Sequence, residues 1–565
     1  LVSDDSDTSG DETLQSRQNS LADVIATEKP FFNIEKILLD AYTQEASAGG
    51  ARYPKARTDF FNAFEKGALV FNYLGHGGED GLASERIWEK SDSQNLNNQY
   101  KYPLFITITC EFSRFDDPTR PTAGEYVFWN PKGGAISMLT TIREIGQSNA
   151  EDFNDILSKN LLSYGSNQYN SIAESLRISK NERPSSASNV VVYIGDPALM
   201  LAIPKPRINL TKVNDIVISQ PIPDLKSLSK IKISGEITDE NNTILSNYNG
   251  ELATAIFDKM ITTSTLNNDG FSPPIQFKTL GETIFRGNAS VTNGQFEFSF
   301  VVPRDIRIPV DNGRISFYSK KNEALENQTG YNNIIKIGGI NENAPQDNIS
   351  PKVKLYMNDE TFVSGGITNS SPFLLAFLED ENGINTAGGI GHDITAVLDG
   401  DTSNPYILND YYQTKLDDYT NGNLRFPLRN LAAGLHTISF TAWDVYNNPV
   451  TSEIQFIVVG DEELTLSHVL NYPNPFSTYT QFWFSHNRPY EPLSVQVQVM
   501  TITGKVVWTK NQIVTTEGFL SREITWDGKD DFGDRIGKGV YIYKLTVKSN
   551  LTNKKAEKYE KLVIL

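Results

Sequence analysis

Two β-type runs decide the fold, Ala68–Gly78 (ALVFNYLGHGG) and Leu104–Cys110 (LFITITC). The first run ends at His76, and the second ends at Cys110, the only cysteine among 565 residues. If the runs are neighbouring strands of a parallel sheet, their carboxyl ends lie at the edge where open α/β sheets place ligand sites. A histidine beside a cysteine is the arrangement that a thiolate nucleophile and its base require.

Residues 1–204 alternate between helical and strand patterns, which predicts βαβ units and a parallel sheet covered on both faces. Helices are predicted at Thr13–Glu28, Ala56–Lys66, Ala150–Ser163 and Ser171–Lys180. Strands are predicted at Ile37–Leu39, Ala68–Leu74, Leu104–Thr109, Ala135–Thr140 and Val190–Ile194.

From Pro204 onward the pattern changes to apolar residues that alternate with polar ones, as at Phe296, Phe298 and Phe300. A period of two over short runs predicts half-buried strands of β-sandwiches with an Ig-like architecture. Polar stretches at Asn341–Pro351 and Gly460–Glu463 are predicted linkers. The predicted domains are therefore 1–204, 205–342, 343–460 and 461–565.

The bulk composition excludes several classes of protein. A chain of 565 residues is too long for one compact core, since domains average about 150 residues, so about four domains are expected. The net charge of −18 argues against nucleic acid as a partner, because phosphate would be repelled. No stretch approaches the roughly 18 apolar residues that a membrane-spanning helix needs. The opening residues, Leu1–Asp5, are typical of a strand end and an acidic loop, so we expect an N-terminal part to precede them.

Cys110 has two interpretations. Most free cysteines are buried and behave as small hydrophobic residues. However, a charged loop follows this one, with Glu111, Arg114, Asp116 and Asp117, and such a loop is unusual after a purely structural core cysteine. With one cysteine, no cysteine–histidine zinc spacing exists, so no such metal site is expected.

His76 is either a turn residue bonded to backbone or the base that takes the thiol proton. In the second case the N–H groups of Gly77 and Cys110 would form an oxyanion hole. Glu79 is a candidate to orient the imidazole or to act as another site carboxylate. No cofactor is expected, except that the acidic loop with Asp4, Asp5, Asp7, Asp11 and Glu12 offers oxygen ligands for structural Ca²⁺. Its spacing fits no EF-hand, and a solvated loop is the alternative.

Several segments resemble the gingipain-like cysteine peptidases of family C25 (clan CD), in particular the sortase-type members of the type IX secretion system of Bacteroidota. The segments are Asn72–Gly78, Thr109–Pro118, Pro131–Ala135, Gly195–Leu199, Gly391–Asp393, Ala442–Asn448 and Asn471–Phe476. The resemblance implies a caspase-like catalytic domain with Cys110 as nucleophile and His76 as its partner. It also implies that the catalytic half begins upstream of Leu1, where the third catalytic carboxylate would lie.

The same resemblance implies a function at the cell surface, in association with the outer membrane, after export through the type IX system. Such proteins remove the C-terminal signal domain of exported cargo and join the new carboxyl end to anionic lipopolysaccharide. Their partners are the cargo, the outer-membrane barrel protein PorV, and PorQ and PorZ. The last hundred residues resemble the C-terminal β-domain of type IX cargo, which in the sortase-type proteins is retained as an attachment module.

Three functions follow from these patterns. The first is a transpeptidase that passes cargo through a Cys110 thioester to an amine acceptor. The second is a secreted gingipain-like hydrolase that is itself type IX cargo and loses its terminal domain. The third is a non-enzymatic surface scaffold with a decayed peptidase fold.

Overall fold

The computed structural model describes residues 1–388, 391–459, 463–489, 491–516 and 518–565. The first 204 residues contain a six-stranded sheet with strands β1 (Val2–Ser3), β2 (Ile37–Leu38), β3 (Val70–Leu74), β4 (Leu104–Ile108), β5 (Ser137–Thr141) and β6 (Val191–Ile194). The strand order is β6-β5-β4-β3-β1-β2. All neighbours are parallel except β5 and β6, which are antiparallel. The predicted parallel sheet is therefore confirmed, with β6 as an antiparallel edge strand.

Seven helices are described in this unit: α1 (Leu14–Glu28), α2 (Pro54–Lys66), α3 (Lys90–Asn95), α4 (Ala123–Trp129), α5 (Gln147–Leu161), α6 (Ile172–Glu182) and α7 (Ser186–Asn189). Side chains of α2 and α4 share one buried cluster with the sheet, and side chains of α1, α5 and α6 share another. The sheet is therefore covered on both faces, which explains why every residue of β4 and β5 is buried.

Local chemistry accounts for two helix starts. Pro54 is the first residue of α2, where its missing N–H costs no hydrogen bond. Thr122 and Glu125 form a reciprocal capping box at the start of α4. Short elements complete the unit: a 3-10 helix at Leu39–Ala41, a hairpin of Glu45–Ser47 with Gly50–Arg52, and a small sheet of Gly77–Gly78, Gly81–Leu82 and Trp88–Glu89.

The second unit is a β-structure with its own buried core. Its nine-stranded sheet contains, in spatial order, Lys205–Pro206, Asn327–Asn332, Arg314–Lys321, Gly250–Phe257, Thr283–Thr292, Gln295–Val301, Lys230–Ile237, Ile208–Val213 and Ile216–Val217. Leu225–Ser227, Lys336–Ile340 and Asp311–Asn312 form a three-stranded sheet, and Ile261–Ser264 pairs with Gln276–Thr279.

The third unit is a two-sheet sandwich around a separate apolar core. Lys352–Met357, Phe373–Glu379, Asp418–Pro427 and Tyr412–Lys415 form one sheet, and a 3-10 helix at Asn409–Tyr411 precedes the last of these strands. Gly366–Thr368, Pro449–Val458, Gly434–Trp443, Thr395–Leu398 and Tyr406–Ile407 form the other sheet.

The fourth unit, which we call the C-terminal sandwich (463–565), also has two sheets. Leu466–Tyr472, Thr480–His486 and Leu520–Trp526 form the first sheet. Val506–Val514, Leu493–Thr501, Gly539–Ser549 and Lys555–Ile564 form the second. Together with the two β-units before it, this unit confirms the predicted fold class of an α/β portion followed by all-β units.

The predicted linker Asn341–Pro351 contains no helix or strand between Ile340 and Lys352. Of the second predicted linker, residues 460–462 lie outside the described residues. The domain boundaries inferred from sequence stay predictions. In the described part of the chain, no helix is long and apolar enough to cross a membrane.

A loop of the second unit docks onto the α/β unit. The hairpin of Ile261–Ser264 and Gln276–Thr279 carries the loop at residues 265–275. There the backbone N–H groups of Asn267 and Asn268 donate to the two carboxylate oxygens of Asp40, each at 2.7 Å. Asp40 is buried in the 3-10 helix that follows β2 at the carboxyl edge of the sheet. The second unit therefore contacts the side of the sheet where ligand sites form.

Candidate active site

His76 and Cys110 follow neighbouring strands. Strands β3 and β4 pair in parallel, with Leu74 opposite Ile108. Each candidate therefore lies two residues beyond the paired end of its strand, at the same level of the sheet. The predicted neighbourhood of these two strands is confirmed, and it brings both residues to the carboxyl edge.

The strand β5 fixes the loop that carries Cys110. The half-buried thiol lies 3.8 Å from the carbonyl oxygen of Ile145 and donates to it. The Ser113 N–H donates to the Thr141 carbonyl at 3.1 Å, and the Thr141 hydroxyl donates to the Thr109 carbonyl. Glu111 has a φ of 51°, a left-handed conformation uncommon for a glutamate, which turns the chain sharply after the cysteine. The sulfur is thus placed at a rigid bend.

The turn that carries His76 is held from beneath by β1. The carboxylate of Asp4, buried just beyond β1, accepts the His76 N–H at 2.8 Å. Gly75 is required here because a Cβ at this position would lie 2.2 Å from the Asp4 Cβ. The His76 carbonyl accepts the Tyr73 hydroxyl at 2.6 Å and the Ala83 N–H at 3.0 Å. These bonds fix the backbone of the histidine without using its ring.

The imidazole of His76 contacts Asp11. Its Nε2 lies 3.1 Å from the Asp11 Oδ1, and the Asp11 side chain is only 5% exposed. The other oxygen of Asp11 accepts the N–H and hydroxyl of Thr8, which fixes the carboxylate. Because an ionised carboxylate only accepts, this contact favours, in a neutral imidazole, the tautomer with the proton on Nε2 and the lone pair on Nδ1. That tautomer is the one in which Nδ1 can accept a proton from a thiol.

Asp11, and not Glu79, is the carboxylate that contacts the His76 ring among the described residues. A catalytic carboxylate upstream of Leu1 stays a prediction. Sequence reasoning included Asp11 only in the acidic loop suited to calcium. The available signal was the acidic run directly after Val2-Ser3. However, a two-residue strand is too short to reveal that β1 lies beside β3.

Glu79 is instead a link between the two loops. Its side chain is 10% exposed, and its oxygens lie 3.1 Å from both Arg114 and Arg120. Arg114 belongs to the cysteine loop, so this ion pair joins the His76 segment to the Cys110 segment. Two guanidinium groups neutralise the carboxylate, which suits a positioning role; direct participation of Glu79 in chemistry stays a prediction.

Gly77 lies where an oxyanion donor is expected. A Cβ there would lie 2.6 Å from the Thr109 hydroxyl oxygen, so only glycine permits this approach to the residue before Cys110. Gly77 and Leu82 are opposite each other in two antiparallel strands, in which hydrogen-bonded and non-hydrogen-bonded residue pairs alternate. The preceding pair is hydrogen-bonded, since the Ala83 N–H donates to the His76 carbonyl, so the pair of Gly77 and Leu82 is not. The Gly77 N–H therefore points away from Leu82. Its role with the Cys110 N–H stays a prediction.

Three further carboxylates are buried beneath the His76 turn: Asp4, Asp5 and Glu85. Burial, followed by repulsion from Asp5, raises the pKa of Asp4 well above its usual range. Burial and the charge of Glu85 raise the pKa of Asp5 to about 8. Burial and the charge of Asp7 raise the pKa of Glu85 to about 7. Of the other acidic-loop residues, Asp7 accepts the Ser84 hydroxyl and Glu12 is exposed.

The α/β unit is similar to a known family of peptidases. Residues 1–202 match the model of Peptidase family C25. This part of the chain is therefore similar to the C25 cysteine peptidases, and the matched region contains the candidate nucleophile and base.

Among solved structures, the chain is similar to dimeric latent PorU from Porphyromonas gingivalis. The two are 27% identical with a TM-score of 0.31, and the match covers 77% of this chain and 41% of that chain. It is also similar to the complex of the pro- and mature domains of Porphyromonas gingivalis RgpB. There the identity is 13% and the TM-score is 0.30, over 60% of this chain and 68% of that one. No curated protein matches the chain.

Proposed function

We propose that this protein is a cell-surface transpeptidase of the sortase type. It would cleave the C-terminal signal domain from type IX secretion cargo and attach the cargo to anionic lipopolysaccharide. The observation that carries the proposal is the level placement of His76 and Cys110 on neighbouring parallel strands, with the imidazole held by Asp11.

The chemistry would proceed in two acyl transfers. The Cys110 sulfur attacks the carbonyl carbon of the amide between cargo and signal domain, and its proton passes to the Nδ1 of His76. The carbon–nitrogen bond breaks, the leaving amine takes that proton, and a thioester remains on Cys110. An amine on the lipid-linked sugar then attacks the thioester and releases the thiol. Two easier steps replace one difficult step, which is the advantage of a covalent nucleophile.

The proposed location and partners depend on the family resemblance. The protein would act at the outer-membrane surface with PorV, PorQ and PorZ, after export through the type IX system. The C-terminal sandwich, which has its own apolar core, would remain on the protein as the attachment module.

The decisive experiment replaces Cys110 with alanine in cells and follows cargo by immunoblot. We expect cargo that retains its signal domain and is absent from the surface. The thermal unfolding of Cys110→Ala should match that of the wild type, which separates lost chemistry from lost folding. Cargo that is still trimmed and attached to the surface would refute the proposal.

A secreted gingipain-like hydrolase that is itself cargo is the second candidate. The separate core of the C-terminal sandwich favours it, because such a unit can be removed without opening the rest of the fold. The intact mass of the mature protein decides between the two. A chain that still ends at Leu565 contradicts the cargo interpretation.

Thiol labelling tests whether the protein has an activated nucleophile, and the label reports on one site because Cys110 is the only cysteine. We expect it to react with an alkylating probe at pH 7 faster than free cysteine does. A rate no faster than that of free cysteine would instead support a non-enzymatic scaffold.

A further inference from the structure

We propose that the C-terminal sandwich binds a membrane surface through a face of lysines, with the phosphate groups of lipid headgroups as the ligand. The face belongs to the hairpin formed by strands Gly539–Ser549 and Lys555–Ile564. We call its four outward lysines the lysine face: Lys544, Lys548, Lys555 and Lys561. The choice of a membrane as the partner rests on the proposed location at the outer-membrane surface, whereas the charge of the face does not.

The charge of this unit differs in sign from that of the whole chain. Within residues 463–565, 13 lysines and arginines exceed 10 aspartates and glutamates, whereas the chain as a whole carries −18. Four of these acids share one loop: Asp527, Asp530, Asp531 and Asp534. Asp531 accepts the N–H of Thr509 on the edge strand Val506–Val514, whereas the lysine face lies at the opposite edge of the same sheet. Since charges more than about 8 Å apart are largely screened at physiological salt, acids elsewhere in the chain do not cancel this local positive charge.

The register of the hairpin places the four lysines on the solvent side of the sheet. Lys548 lies directly opposite Lys555, and Lys544 lies opposite Tyr559. The side chains that alternate with them on the first strand point the other way and are fully buried: Tyr543, Leu545 and Val547. The neighbouring strand adds only uncharged side chains opposite these lysines: Ser494, Gln496 and Gln498. The result is an open polar face with lysine as its dominant charge.

The four lysines are not neutralised within the protein. Glu557 is the acid that the register places among them, and Lys544 and Lys555 share it at 2.8 and 2.5 Å. Lys548 and Lys561 are exposed, and in the described part of the chain neither forms an ion pair. Like charges directly opposite each other in neighbouring strands are destabilising. The pair of Lys548 and Lys555 therefore lowers stability, and an external anion would relieve that repulsion.

Protection of a free sheet edge explains only part of this pattern. Lysines are common on edge strands because they prevent pairing with another chain. Lys555 and Lys561 lie on the edge strand, so this explanation suffices for them. Lys544 and Lys548 lie on Gly539–Ser549, which is paired on both sides. Their charge therefore needs another reason, and an anionic surface that binds the face provides it.

The kind of cation favours a lipid surface over an acidic protein. Residues 539–564 contain six lysines and no arginine. Protein interfaces are enriched in arginine and depleted in lysine. The ammonium group of lysine is a point charge without a fixed fork, which suits phosphate groups that move in a headgroup layer. Tyr559, which is 56% exposed and lies 5.5 Å from the Lys544 Nζ, supplies the amphipathic ring typical of membrane interfaces.

Vesicle sedimentation with the full chain tests the surface. The chain should bind vesicles that contain phosphatidylglycerol together with phosphatidylcholine, and it should not bind vesicles of phosphatidylcholine alone. Raising the salt concentration should weaken the binding, because salt screens the attraction. The double variant Lys548→Gln with Lys561→Gln should bind at least about 10-fold more weakly, since each lysine near an anionic surface contributes about 5-fold in affinity.

The matched control is Lys320→Gln with Lys354→Gln, which removes the same charge from exposed positions of the second and third units. This control should keep full binding. Equal weakening in both double variants would show that net charge alone matters and would overturn the lysine face. Equal binding of the two kinds of vesicle, or of neither, would overturn the assignment of lipid phosphate as the ligand.

Two further readouts separate the surface from folding and from the proposed chemistry. Lys548→Gln should unfold at or above the wild-type temperature, because it removes the repulsion with Lys555. A lower temperature would assign the lysine to the fold and overturn the proposal. Cys110→Ala should bind vesicles as the wild type does, and the lysine double variant should cleave a soluble cargo peptide at the wild-type rate. Vesicle binding and cargo cleavage can therefore fail separately, and a loss of both in either variant would contradict the separate surface.

Discussion

The carboxyl edge of the α/β sheet and the C-terminal sandwich differ in the kind of side chain that they bury: charged groups in the first and apolar groups in the second. By carboxyl edge we mean residues 4–11, 75–85 and 109–117. In the sandwich, Val495, Val497 and Val499 alternate with polar residues and are buried opposite Val547, Leu545 and Tyr543 of the neighbouring strand. In the sandwich, the alternation of apolar and polar residues in the sequence therefore matches the strand pairing and the burial in the structure.

The carboxyl edge departs from this agreement. It buries four carboxylates within one region, those of Asp4, Asp5, Asp11 and Glu85. These groups make the region costly to fold. Since local rules are usually broken where function requires it, the difference supports the choice of this edge as the candidate active site.

The largest expected effect compares two histidines, one from each region. His76→Asn should lower cargo cleavage by about 10²–10⁴-fold, the usual contribution of a general acid–base group. His468→Asn, at an exposed position of the sandwich whose left-handed φ of 46° asparagine tolerates, should leave the rate unchanged. Cleavage rates on a peptide that spans the cargo junction measure both. Similar losses of cleavage rate in the two variants would contradict a specific role of His76 in catalysis.

Truncation of a core side chain in the sandwich should lower stability and leave the reactivity of Cys110 unchanged. Phe484 is fully buried, so Phe484→Ala should cost the C-terminal sandwich about 3–5 kcal/mol of unfolding free energy. Denaturant unfolding followed by tryptophan fluorescence reports this loss, because Trp508 and Trp526 stack in the same core. The alkylation rate of Cys110 should not change. A slower rate would show that the sandwich supports the catalytic edge.

Much of this contrast could be predicted from sequence, because periodicity carries the information. The apolar runs that become β3 and β4 predicted both the sheet and the adjacent ends of the two strands. Alternation likewise predicted the sandwiches. These are local signals, and each strand's own residues determine its burial.

The arrangement of the carboxylates could not be predicted in the same way. Asp11 reaches His76, and Glu85 reaches Asp4 and Asp5, only because the two-residue strand β1 inserts beside β3. So short a strand has no periodicity. Helix α4 was also missed; its capping pair, Thr122 and Glu125, was the available signal.

A buried histidine, His486, should make the stability of the sandwich depend on pH. His486 is buried, and this burial lowers its pKa to about 4. Its Nδ1 accepts the Arg488 N–H, and its Nε2 bonds the Thr516 hydroxyl, so the neutral ring is the bonded form. The unfolded chain binds a proton below pH 6.5 that the folded state refuses until about pH 4. Stability should therefore fall across that window, by up to about 3 kcal/mol.

The variant His486→Gln isolates this effect, because glutamine keeps an acceptor and a donor but does not titrate. Unfolding free energies at pH 7 and pH 4 should differ less in the variant than in the wild type. Identical pH dependence in both proteins would show that other groups control the acid sensitivity of the sandwich.

The smallest expected effect concerns the carboxylate that orients His76. In Asp11→Asn, the amide oxygen can still accept from Thr8, which turns the amide NH₂ toward the imidazole. That donor would favour the tautomer with the proton on Nδ1, which cannot accept the thiol proton. We expect kcat to fall by about 10- to 100-fold with little change in KM, since the contact orients the base and does not bind substrate.

Asp11→Glu keeps an accepting carboxylate and should recover part of the rate, whereas a purely structural role would make the larger side chain at least as harmful as asparagine. Recovery by glutamate would therefore assign the buried charge at the carboxyl edge to the chemistry of His76, and its failure would leave Asp11 as one more packing residue, like those of the sandwich.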